Sequence, residues 1–248
     1  MLIDPASIVE LETTANAAMP ALKAYWHDGW LLRFSEGYTK RANSIHPLFP
    51  STHDLATKIA FCEALYASCG LPLIFKITAT SQPPHLDESL ADQGYQIVSP
   101  TLLQTCVLTP SHDAPYMEGT PTLTKAWLKA YQTLDPVPAR HHDALEKTLR
   151  QIPFPTWYAS LMGGDGAIIA VGLAVLQPPR LGLFNIVVDE SQRGQGLGRQ
   201  IMTRLLAWGR REGAQYAYLQ VSADNHAAIH LYASLNFKTQ YQYWYRIK

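Results

Sequence analysis

Three glycines spaced two apart, Gly194, Gly196 and Gly198, separate a β-branched run from an amphipathic one in LFNIVVDESQRGQGLGRQIMTRLL, residues 183–206. Glycine lacks the Cβ that keeps a ligand away from the backbone. A helix opening directly behind such a turn aims unpaired N–H groups and the positive end of its dipole at one point. That combination seats an anion, and a phosphate-bearing ligand is the natural occupant. Spacing narrows the choice. A nucleoside-triphosphate loop needs Lys and then Ser or Thr after its last glycine, whereas Arg199 and Gln200 follow Gly198. A dinucleotide loop needs G-x-G-x-x-G with an acidic residue further on, whereas these glycines alternate strictly.

The elements that must position this turn are legible on both sides. Leu181 to Val188 reads as the strand that delivers the chain to it, after a hairpin of Trp157–Met162 and Ala167–Leu176 across Gly163-Gly164-Asp165-Gly166. Behind the turn, Leu197, Ile201, Leu205 and Trp208 form one helical stripe for the core, with Arg199, Arg210 and Arg211 facing outward. A strand over Tyr216–Val221 follows, then a helix capped by Asp224 or Asn225, with Asn236 where a left-handed residue is wanted. From Phe237 to Ile247 aromatic and polar residues alternate, as in strands of a half-exposed sheet.

These residues resemble the acetyl-CoA signature of the GNAT N-acetyltransferases, Q/R-x-x-G-x-G/A, met by Arg193, Gly196 and Gly198. Asn225, Ala228, Leu231, Tyr232, Leu235 and Phe237 follow in that family's order. The resemblance implies an α/β (α+β) fold with a mixed, mostly antiparallel sheet flanked by helices, and acetyl-CoA as co-substrate without a metal. It puts the pyrophosphate on the amides of Gly194, Gln195, Gly196, Leu197, Gly198 and Arg199, with charge from Arg193 and Arg199. The pantetheine arm would pair with Ile186 and Val188, and an N–H near Val187 or Val188 would meet the thioester oxygen. Asn225 would bond the CoA arm, an alternative to simple helix capping, and Tyr232 would be the acid for the departing thiolate. The carboxylate base of relatives is missing, because Gln220 and Asn185 stand at the two positions where it occurs. An amide takes no proton at neutral pH, so either a water held by this pair relays it or the amine arrives neutral. The implied reaction is acetyl transfer to a small-molecule or peptide amine by direct attack in a ternary complex. A CoA-binding sensor or scaffold without catalysis stays open, and thioester turnover separates the two.

The 248 residues carry a formal net charge of +0 with 16% charged residues, which offers no long-range field for nucleic acid or an anionic membrane. Cys62, Cys69 and Cys106 are odd in number and lack C-x-x-C pairing, so neither a disulfide framework nor a structural zinc site is expected. No leader or long apolar run is visible, and the expectation is a cytoplasmic monomer or homodimer.

Two halves are suggested by internal similarity. Gly70-Leu-Pro-Leu-Ile-Phe-Lys-Ile aligns with Gly213-Ala-Gln-Tyr-Ala-Tyr-Leu-Gln, and Leu90-Ala-Asp-Gln-Gly-Tyr95 with Tyr232-Ala-Ser-Leu-Asn-Phe237. We expect a degenerate GNAT-like half over 1–108, a linker over 109–119 and the catalytic half over 120–248. Where the second half has RGQGLG the first has HPLFPST, whose prolines remove N–H donors, so its expected role is to extend the sheet and stabilise. Within it the pattern predicts a hairpin of Trp30–Phe34 and Thr39–Ile45 around Gly37, and a helix over 53–68 capped by Ser51 or Thr52. A strand over Leu71–Ile77, a helix over Leu86–Asp92 and strands at Tyr95–Val98 and Leu102–Leu108 follow. Helices near Leu123–Gln132 and Ala144–Arg150 lie where the resembled family covers its acceptor groove.

Overall fold

A computed structural model describes residues 4–110, 119–164 and 166–248. Helix α1 (Pro5–Ala18) leads to strands β1 (Lys23–His27), β2 (Trp30–Phe34) and β3 (Ile45–Pro47), then α2 (Leu55–Ser68), β4 (Ile74–Ile77), α3 (Leu86–Asp92) and β5 (Gln96–Val107). The second half runs through β6 (Gly119–Thr120), α4 (Lys125–Leu134), α5 (His142–Arg150), β7 (Thr156–Met162), β8 (Ile168–Gln177) and β9 (Arg180–Val188). It ends with α6 (Leu197–Arg211), β10 (Tyr216–Ser222), α7 (His226–Ala233) and β11 (Lys238–Ile247).

The strands of the described residues form one 11-stranded sheet in the order β1-β2-β3-β4-β11-β5-β10-β9-β8-β7-β6. Each half has one parallel pair with a helix crossing between its strands, β3 with β4 and β9 with β10, while the other pairings are antiparallel. The last strands of the two halves are exchanged. β5 pairs with β10 of the second half, β11 pairs with β4 of the first, and β5 and β11 pair with each other at the centre.

The predicted stripe of α6 holds: Ile201 and Leu205 are fully buried, in one core with Leu181, Leu183 and Leu219. The opposite face of that part of the sheet is covered by α1, α4 and α5 through Ala15, Trp127, Tyr131 and Leu145. The first half has its own core around Trp30, Ile59, Phe75 and Tyr95. At the centre, the fully buried Glu12 of α1 takes hydrogen bonds from Lys76 Nζ at 2.8 and 2.6 Å and from the Tyr241 hydroxyl at 2.7 Å.

Several sequence expectations in the first half are corrected. Lys23–His27 is a strand, so the hairpin is β1–β2 across Asp28-Gly29, both at positive φ, instead of a turn at Gly37. Thr39–Ile45 is not a strand. Asn43 knits it into a loop, accepting from the amides of Ser35 and Gly37 and donating to the carbonyls of Tyr38 and Thr39, while Lys40–Ala42 makes a single 3-10 turn. Asp54, not Ser51 or Thr52, caps α2 by accepting from the Thr57 amide. The runs expected at Tyr95–Val98 and Leu102–Leu108 fall in one continuous strand, Gln96–Val107, in which Ser99 takes a positive φ just before Pro100. Most of the linker, residues 111–118, falls outside the described residues.

Candidate active site

β9 and β10 hold register from Tyr216↔Arg180 to Leu219↔Leu183 and pair no further. Past that point β9 keeps its other neighbour, with Val187 opposite Val171 and Val188 opposite Ala170. The β10-facing edge of Asn185 to Val188 is therefore left without a strand. The register with β8 slips between Leu173↔Phe184 and Val171↔Val187, which inserts one residue into β9, and Asn185 lies there with φ 51°. Asn tolerates the left-handed region better than β-branched residues do, and such a bulge re-aims the side chains that follow. The parting strands open a cavity of about 510 Å³ that reaches Asn185, Gln220, Asn225 and Tyr232.

The glycine turn follows β9 in the chain, and a Cβ built on Gly198 would stand 4.0 Å from Val188 Cγ2 at the end of that strand. Gly194 and Gly196 have φ 80° and 79°, and a Cβ built on either meets nothing within 4 Å. The amides of 194–196 make no backbone hydrogen bond, and those of 197–199 are the first turn of α6, which has no intrahelical acceptor. No side chain caps this helix. Gly198 serves packing, since a Cβ there would stand 3.1 Å from Leu231 Cδ2. The two expected cations are engaged locally: Arg193 pairs with Glu190 at 3.5 Å, and Arg199 donates to Ser234 Oγ at 2.6 Å.

Deeper in, Asn225 Oδ1 accepts from the Ala228 amide at 3.1 Å and so caps α7. Tyr232 is buried at 8% exposure beside Phe237, and its hydroxyl has no hydrogen-bond partner among the described residues. Burial pushes the phenol up to about 12, so it stays protonated throughout the neutral range. Gln220 Oε1 accepts from the Tyr243 hydroxyl at 3.0 Å, which leaves Gln220 Nε2 buried without an acceptor. Asn185 Nδ2 is buried and unpaired as well. Two orphaned donors thus face one cavity, and such groups cost roughly 1–3 kcal/mol each unless a ligand or water takes them.

The structure brings together residues that sequence reasoning did not single out. Arg41, from the knitted loop of the first half, lines the cavity with its guanidinium 5.8 Å from the centre of the Phe184 ring. Tyr243 and Tyr245 of the exchanged strand β11 line it too, as do Tyr131 and Asp135 at the end of α4, where the Tyr131 hydroxyl donates to Asp135 at 2.8 Å. Only the two-residue alternation of FKTQYQYWYRI hinted that Tyr243 and Tyr245 share a face. Arg41 carries no local signal.

A parted parallel pair, a bulge on its first strand and the bare helix N-terminus that follows that strand make up this site. The family model described as "Probable histone acetyltransferase Rv0428c C-terminal" matches residues 5–246. An uncharacterized N-acetyltransferase of Bacillus subtilis, YobR, is 31% identical over 97% of this chain and 98% of its own length. The probable histone acetyltransferase Rv0428c of Mycobacterium tuberculosis is 29% identical over 87% of this chain and 66% of its own. Among solved structures, a GCN5-related N-acetyltransferase from Kribbella flavida superposes with a TM-score of 0.67 at 13% identity, covering 97% of this chain and 95% of that one. A tandem GNAT protein from the clavulanic acid biosynthesis pathway gives 0.62 at 15%, covering 78% and 69%. The chain belongs to the GNAT acetyltransferases, within the family that the Rv0428c C-terminal model defines. No helix among the described residues is long and apolar enough to cross a membrane.

Proposed function

We propose that this protein transfers an acetyl group from acetyl-CoA to an amine, with the cofactor held by the second half. The observation that carries this reading is the run of bare amides at 194–199 that follows directly on β9, the strand whose edge parts from β10. The residues present fit CoA. The amides and the helix dipole suit a pyrophosphate, and the unpaired β9 edge at Ile186 and Val188 suits the two amides of a pantetheine arm. When bound, acetyl-CoA supplies a thioester that an amine can attack. An N–H of Val187 or Val188 is the donor for the negative charge that develops on the carbonyl oxygen.

Tyr232 is the group that meets the departing sulfur. A phenol near 12 lies well above a thiol near 8.5, so full proton transfer would run uphill by about 5 kcal/mol. The phenol therefore acts as a hydrogen-bond donor that stabilises the thiolate, more than as an acid that is emptied. Asn185 and Gln220 present donors, not bases, and suit the holding of a water or of the acceptor. Asp135 is the one carboxylate lining the cavity among the described residues, which makes it the candidate to attract the ammonium and receive its proton.

A binding-only role draws support from the two amides that replace carboxylates, and one experiment separates the readings. Thiol release from acetyl-CoA is followed with a panel of amines while CoA binding is measured by calorimetry. Binding at one CoA per chain with amine-dependent release supports catalysis, and binding without release from any amine leaves the sensor. A match to the [Ribosomal protein bS18]-alanine N-acetyltransferase of Escherichia coli, 40% identical, covers only 30% of this chain and carries no ribosomal substrate over to it.

A further inference from the structure

The buried cations among the described residues are satisfied by carboxylates or carbonyls, whereas the half-buried Arg41 is not. Lys58 meets Asp28 at 3.4 Å, Lys76 meets Glu12 at 2.6 Å, and Arg246 meets Asp87 at 2.7 Å. Arg33 has no such carboxylate, but it donates to Asn16 Oδ1 and to the carbonyls of Asn16, Met19 and Arg41. Arg41 has neither a carboxylate nor a full set of acceptors. Its Nε is sheltered from solvent without a partner, and its neighbours are the phenols of Tyr243, Tyr245 and Tyr38 and the face of Phe184. A guanidinium partly withdrawn from water with its Nε unpaired loses hydration that a bound anion would restore.

The position is built, not incidental. Asn43 fixes the loop through four hydrogen bonds, Thr39 is held at φ 59°, and the Arg41 carbonyl is itself pinned by Arg33. The guanidinium is thereby held over Phe184, the residue immediately before the bulge at Asn185. Lys40, exposed on the same loop, adds a second positive charge to the cavity wall. A planar fork of N–H donors fits a carboxylate or a phosphoryl group and gains nothing from a neutral amide's single oxygen beyond one bond.

We propose that Arg41 makes the site selective for amines that also carry a compact anionic group, a carboxylate or a phosphoryl group. On this reading the first half recognises the acceptor while the second holds the acyl donor. The inference rests on the acetyl-transfer reading for its kinetic test, but anion binding can be read without turnover.

The kinetic arm compares glycine, β-alanine and γ-aminobutyrate with their carboxamides, and phosphoethanolamine with ethanolamine, by thiol release from acetyl-CoA. A carboxamide of glycine has the less basic amine, so chemistry alone favours the neutral partner, and a preference for the charged one must come from binding. We expect charged members to exceed neutral ones at least about 10-fold in kcat/KM, as a charge-assisted pair implies. In Arg41→Gln the ratio should fall toward one, and Arg41→Lys should restore part of it. Whether carboxylates or phosphoethanolamine lead identifies the anion. The second arm measures the melting temperature with each amine in the presence of CoA. Stabilisation by the anionic members that Arg41→Gln abolishes supports the anion site even if no amine is acetylated, in which case it is the transfer reading that fails. Carboxamides that are turned over as well as the charged amines, a ratio unchanged by Arg41→Gln, or the absence of any anion-specific stabilisation in a protein that turns nothing over would each overturn the proposal.

Discussion

Helices α2 and α6 hold the same place in the two halves, each crossing between parallel strands, and they differ in what meets the amides that lead into them. Ahead of α6 the amides of 194–199 are bare. Ahead of α2 the Asp28 carboxylate, carried in from the β1–β2 turn, accepts from the Thr52 amide at 2.9 and 3.1 Å and from the His53 amide at 3.0 Å, with Lys58 beside it. The same fold offers an anion seat twice, and the first half fills its own. The turns that follow show the same contrast. The Tyr95 amide bonds the Leu90 carbonyl and the Phe237 amide bonds the Tyr232 carbonyl, each at 3.0 Å, with Gly94 and Asn236 at positive φ in between. Leu90 is wholly buried, whereas its counterpart Tyr232 brings a hydroxyl to the cavity. The two halves share the closures and differ in the chemistry at them.

This contrast can be broken most forcefully at Gly196. Gly196→Glu forces a left-handed residue and sets a carboxylate in the seat, so acetyl-CoA affinity by calorimetry should fall at least about 100-fold, or roughly 3 kcal/mol. Retained affinity would move the cofactor elsewhere. Tyr232→Phe keeps the ring and removes one donor to a developing charge, so kcat should drop about 10- to 100-fold with acetyl-CoA affinity intact. An unchanged kcat would leave the tyrosine a packing residue like Leu90.

Asp28 offers a pH test. Hydrogen bonds from the His53 and Thr52 backbones hold its carboxyl well below the usual carboxylate range. A depressed folded-state value means stability that is fully present above the unfolded value near 3.9 and is lost as pH falls below it. Asp28→Asn should therefore lower the melting temperature at pH 7 and narrow its gap to the parent below about pH 4. CoA stoichiometry should stay at one per chain, because the first-half loop still carries Pro47 and Pro50. A second equivalent in the variant would show that Asp28 alone closes that seat. The smallest effect belongs to Gly198→Ala. The new methyl presses on Leu231 at 3.1 Å, so stability should change by no more than about 1 kcal/mol and CoA affinity by no more than about 3-fold. A loss matching that of Gly196→Glu would make the helix, not the turn, the seat.

The second half was legible because its signals are local. Alternating glycines, a capping Asn225 and the αL Asn236 each state their own conformation, and the stripe of α6 states its own burial. The repeat at Gly70 and Gly213 was visible for the same reason, as both are helix-terminating glycines at positive φ. The loop at Tyr38–Arg41 was not legible, because TKRANSI gives no hint that the Asn43 amide will out-compete strand pairing for four backbone groups. Nor does anything near β5 announce that its partners are β10 and β11, since both lie a half-chain downstream. Sites assembled across such distances are decided by docking, which no short window of sequence records.

The exchanged strands bear on how the protein is made. A ribosome delivers the first half well before β10 and β11 exist, so β5 emerges with both edges open and β4 with one. The loop closures that satisfy them are long, and such pairings form late because chain entropy must be overcome before any contact rewards it. Until then an unpaired central strand is a template for the wrong partner. A pulse of limited proteolysis during translation should therefore find the nascent first half open until β11 has emerged from the exit tunnel.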